Sequence, residues 1–147
     1  MSGRPERLQR LLAIRRLNED LGRRGLQLAL ASVAEVNAAL ARQKMAQLES
    51  NLAARAALNA GDRGEWLLAD AQIEVAGWNR GRLNTLLQAR ASEVPPATAK
   101  FLETRLEHEQ VKQLVEGGQR AAQTEEDRRA QAAADDWFLS KRMRPDD

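Results

Sequence analysis

The sequence predicts an all-α fold: an elongated antiparallel two-helix coiled-coil hairpin with a C-terminal overhang. Two amphipathic stretches, residues 6–58 and 66–143, flank one short glycine-bearing turn at 59–65. The arms are unequal, 53 residues against 78, so folding back leaves about the last twenty residues without an intrachain partner. Composition agrees. Leu, Ile, Val and Phe supply only about a fifth of the 147 residues, near the level where globular burial becomes doubtful. Alanine is abundant; it favours helix but buries little area. Such a chain makes a thin helical seam more readily than a thick core, and it reads as one helical domain over 1–147.

The first arm opens with Pro5 as a first-turn residue and Glu6 complementing the helix N-terminus. Leu8, Leu11, Leu12, Ile14, Leu17 and Leu21 keep helical spacing. Gly22 and Gly25 each weaken the helix by roughly 1 kcal/mol relative to alanine. The apolar pattern resumes at Leu26, Ala29, Leu30, Val33, Val36 and Leu40, then Met45, Leu48 and Leu52. With no proline after Glu6, this arm would be about 80 Å long at 1.5 Å per residue.

In the turn, Asn59 and Gly61 end one helix and Asp62 caps the next, with Glu65 at the capping-box spacing. The second arm carries the cleanest repeat. Trp66, Ala69, Ile73, Ala76, Arg80, Leu83, Leu87 and Arg90 alternate three- and four-residue steps, a heptad seam with two arginine lapses. Pro95-Pro96 is expected to kink this arm, or to stop it and restart it near Ala97. Gly117-Gly118 is a second weak point, followed by a last helix over 119–144 that depends on a partner. Antiparallel pairing about the turn sets residues opposite each other when their numbers add to about 124. Gly22 and Gly25 then face 99–102, where they make room for Phe101 or tolerate the proline distortion; Arg7 faces Gly117, and Met1 faces Gln123.

Charge and motif content exclude several function classes. Lys and Arg total 23 against 21 acids, a net charge of +2 without the clustered basic stripe that nucleic acid calls for. The first 30 residues hold seven arginines, suited to carboxylates on a protein partner. There is no cysteine, which fits a reducing compartment, and no uncharged run long enough to span a bilayer. The protein reads as soluble and cytoplasmic, without direct membrane insertion. His108, flanked by Glu107 and Glu109, has no metal ligand three or four positions away and reads as a surface histidine. Adjacent carboxylates such as Glu125-Glu126 and Asp135-Asp136 point to different sides of a helix. Gly61-x-x-Gly64 lacks the Lys-Ser/Thr and the strand of a phosphate loop. No catalytic, cofactor or metal site is expected.

Three segments resemble the FliJ/YscO family, the coiled-coil stalk proteins of type III export systems in bacterial flagella and injectisomes. The basic opening, residues 7–16 (RLQRLLAIRR), is similar to the family's "RLxRLLxxRR" beginnings. The turn runs into Trp66 with Ile73 one heptad later, as family members place a Trp and an apolar residue past the hairpin tip. The tail, 126–138, resembles the family's terminal "RRxQxxxDE" helix. The resemblance covers nearly the whole chain, but Pro95-Pro96 and Gly117-Gly118 depart from the family's long second helix.

The resemblance implies a non-catalytic stalk that links a hexameric export ATPase ring to the membrane export gate and assists chaperone and substrate handling. The end formed by 7–24 and 128–144 would meet the ATPase, with Arg15, Arg16, Arg128, Arg129, Trp137 and Phe138 as contacts. The distal hairpin would offer Met45, Trp66, Ile73, Trp78 and Leu83 to the cytoplasmic domain of the gate or to export chaperones. The protein would then be peripheral to the inner membrane through that apparatus. Trp66 and Ile73 lie on the seam and read first as packing residues, whereas Trp78 is off it and suits an interface. The rival readings are a self-associating structural or adaptor coiled coil unrelated to secretion, and an amphipathic helix protein at a membrane surface.

Overall fold

The computed structural model describes residues 3–143. Two long helices, α1 (Gly3–Ala60) and α2 (Arg63–Met143), pack against each other as a hairpin, with no strand among the described residues. Met1 and Arg144, which carried the expectations of a contact to Gln123 and of the last helix's end, lie outside the described residues. The connection is tighter than the expected 59–65, because only Gly61 and Asp62 stand outside the helices.

That tightness has a local cause. Gly61 takes a positive φ of 73°, the left-handed geometry open to glycine. Its N–H donates to the Leu58 carbonyl at 3.2 Å, and the Asp62 N–H donates to Ala57 at 2.9 Å, the paired bonds of a Schellman end. Asp62 at once caps α2, its Oδ1 accepting from the Glu65 N–H at 3.1 Å. The Asp62 N–H is committed to Ala57, so only the forward half of the capping box is formed. Gly61→Ala should cost about 1 kcal/mol through left-handed strain alone, since open space surrounds the position. Unchanged urea midpoints would contradict this.

The packing separates into two compact units: Leu21–Leu102, and Met1–Asp20 with Glu103–Asp147. In the first unit the α2 seam is as expected. Ala69 and Ala76 are buried, and Trp66, Ile73, Leu83 and Leu87 are half-buried. Arg80 and Arg90 turn out to solvent; Arg80 Nη1 reaches across to Gln47 Oε1 at 2.8 Å, and half-buried Asn79 sits next to it in sequence. The buried apolar residues of this unit are Val36, Ala57, Ala69 and Ala76, and no large side chain is fully buried. Each small residue contributes little area, so stability is distributed along the seam.

The register is close to the expected one. The Arg23 guanidinium lies 5.7 Å from the centre of the Phe101 ring, a pair whose numbers add to 124. Gly22 is buried here. Gly25 is exposed with nothing within 4 Å of a Cβ placed on it, so it makes no room for anything.

Pro95-Pro96 neither stops nor restarts α2, which is helical throughout Arg63–Met143. Both prolines are exposed, as are Ala91 and Ser92, whose carbonyls lose amide donors to the proline rings. Water can reach those carbonyls. Gly117-Gly118 likewise leaves the helix unbroken.

In the second unit the seam holds Leu8, Leu11 and Leu12 against Val111 and Val115, then becomes polar. Ile14 and Leu17 here, and Leu21 at the start of the other unit, keep helical spacing yet remain more than half exposed, because the heptad phase gives the seam to Arg15, Asn18 and Glu19 instead.

Candidate functional site

The polar layer follows from that phase. Arg15 Nη1 donates to Glu107 Oε2 at 2.8 Å, both side chains about one-third exposed. Buried Glu19 meets His108 Nδ1, with side chains 11% and 18% exposed. His108 is therefore a packed, partnered residue and not the expected surface histidine; its partner lies 89 residues away in the chain. Taken strictly, the register would have set Arg15 opposite Glu109 and Glu19 opposite Arg105, so the sequence pointed to charged partners here but not to these two. Arg15 Nε is buried without a partner. Engaged in this way, Arg15 braces the seam, while its neighbour Arg16 is exposed beside a shallow groove with Lys112. Among the described residues there is no cluster of three or more potential metal ligands.

Beyond Gln119, α2 is exposed at every described position except half-buried Glu125. Its outer surface bonds to itself at helical spacing. Arg128 grips Glu125 with two donors, at 2.9 and 3.1 Å, and Arg129 Nε adds a third contact at 3.3 Å. These bonds, Arg128 first, hold the Glu125 carboxyl below its ordinary pKa and raise that of Arg128. Gln123 bonds Asp127 and Gln131 bonds Asp135, each at the i,i+4 spacing.

The end of the helix is different. Trp137 and Phe138 meet edge to face at 5.6 Å and are 59% and 66% exposed. Lys141 Nζ stands 4.9 Å from the Trp137 ring centre. Leu139 and Met143 are also exposed. Lys141 and Arg142 in the last turn complement the helix C-terminus. Isolated exposed apolar residues are ordinary, but two exposed aromatics packed edge to face form a concentrated patch. Chemically this segment can bind a groove or another helix.

The residues proposed for the distal hairpin divide in two. Trp66, Ile73 and Leu83 are half-buried seam residues. Met45 and Trp78 are exposed, Trp78 at 67%. Leu48 and Leu52 share the exposure of Met45, away from the α1 seam positions Gln43, Gln47, Ser50 and Ala54. Among the described residues, no helix is long and apolar enough to cross a membrane. No known protein family, curated protein or solved structure matches the chain.

Proposed function

We propose that the chain is a non-catalytic stalk or adaptor of a type III protein export apparatus, linking the export ATPase ring to the cytoplasmic domain of the export gate. It works in the cytoplasm, peripheral to the inner membrane, and assists export chaperones and their substrates. The observation that supports this reading is the exposed end of α2, where Trp137 and Phe138 present an aromatic pair flanked by Lys141 and Arg142. The exposed Trp78 supplies a separate contact for the gate or a chaperone. Arg16, Arg128 and Arg129 flank the ATPase-facing end, and Arg15 shapes it through Glu107.

Interface aromatics of this kind commonly carry 2 kcal/mol or more of binding energy. Trp137→Ala should therefore weaken capture of a purified export ATPase hexamer by tenfold or more, with the melting temperature essentially unchanged. A large fall in melting temperature would place Trp137 in the fold; no capture by the unaltered chain would remove the proposal. The alternative, a self-associating adaptor outside secretion, predicts that last outcome.

A further inference from the structure

We infer that the Glu19–His108 and Arg15–Glu107 pairs lock the rotational phase of the first stretch of α1, choosing which of its faces meets α2. Two stripes compete for that place. The occupied one runs through Leu8, Leu12, Arg15 and Glu19, with Gly22 next in line. The other lies one residue earlier, at Arg7, Leu11, Ile14, Asn18 and Leu21. A turn of the stretch by one residue, about 100°, exchanges them. Leu11 and Asn18 lie between the two and are half-buried already. The occupied stripe holds two large apolar side chains and the other holds three, so apolar burial alone does not choose the first.

What only the occupied stripe offers is partners on the other helix. Buried Glu19 meets His108 Nδ1, and Arg15 Nη1 donates to Glu107 Oε2 at 2.8 Å. The turned phase breaks both pairs and takes from half-buried His108 its Glu19 contact. The pairs select more than they stabilise. Arg15 Nε is buried without a partner, a cost that a seam chosen for packing alone does not carry. Polar residues buried in a coiled coil specify one arrangement in this way at some expense of stability. Gly22 and Gly25 follow directly in α1, and the helix is weakest there. The consequence of the lock is a surface: Ile14 and Leu17 stay more than half exposed.

The test uses the full chain, which has no cysteine of its own. Leu12→Cys with Val111→Cys probes the occupied phase, and Ile14→Cys with Val111→Cys probes the turned one. On mild oxidation the first pair should form its disulfide about tenfold faster than the second, because only the first has both residues on the seam. Adding Arg15→Ala and Glu19→Ala removes the lock and should reverse that order. Adding Arg15→Leu and Glu19→Leu instead makes the occupied stripe apolar, and should return the ratio to within about threefold of its original value. Helicity at 222 nm should be the same in all of them. An alanine variant that still favours the first pair would show that the rest of the helix sets the phase. An alanine variant that loses helicity and both crosslinks would show that the pairs hold the helix instead of choosing its face. A leucine variant that crosslinks like the alanine one would also overturn the lock.

Discussion

Removing residues 119–147 is expected to abolish capture of the export ATPase while leaving the two helices paired. Among its described residues the segment contributes no buried apolar side chain; the last ones on the seam are Val111 and Val115. What it does carry is the exposed Trp137, Phe138, Leu139 and Met143. Deleting it therefore takes away interface and almost no core. The measurements are circular dichroism at 222 nm per residue and a pull-down with purified ATPase. Affinity within about threefold of the full chain would show that the partner binds elsewhere. A collapse of helicity would show that the segment supports the hairpin, which its exposure argues against.

Replacing both prolines of α2 with alanine is expected to stabilise the protein by about 4 kcal/mol. A proline inside a helix costs about 3 kcal/mol through the lost N–H bond and the clash of its ring with the preceding turn. Two stand side by side in an otherwise continuous helix. Alanine at 95 and 96 would restore bonds to the Ala91 and Ser92 carbonyls. Part of that gain is offset, since proline also restricts the unfolded chain by up to about 1 kcal/mol at each site. Neither proline packs on the seam, because both are exposed, so no contact is lost. Hydroxyl groups already supplement this stretch, with Ser92 Oγ donating to Ala89 at 2.7 Å and Thr98 Oγ1 to Val94 at 2.9 Å. The urea midpoint of Pro95→Ala/Pro96→Ala should rise at unchanged slope. A fall would mean that the proline geometry is needed for the seam on either side.

The free end of α2 was legible as an overhang because it follows from arithmetic: one turn and two unequal helical stretches leave residues over. Its aromatic pair was legible because Trp137 and Phe138 end a run poor in other apolar residues. The mutual edge-to-face packing and the cation above Trp137 were not, since both depend on rotamers chosen in three dimensions. Arg15 illustrates the converse. Its neighbourhood in the sequence is basic and suggests an outward surface, yet the heptad phase turns it inward to Glu107.

The sequence by itself determined the helical class, the position of the turn and the α2 seam. Each rests on short-range physics: glycine's left-handed geometry at Gly61, the cap at Asp62, and an apolar repeat from Trp66 to Leu87. Only the tertiary structure decided which of the first arm's competing stripes is buried. Ile14, Leu17 and Leu21 lose to Arg15, Asn18 and Glu19, because a polar residue can occupy a seam when its partner arrives from the other helix. It also decided that Pro95-Pro96 is tolerated. Local propensity weighs the lost bonds, but not the support of a helix packed on both sides of the lesion with its orphaned carbonyls open to water.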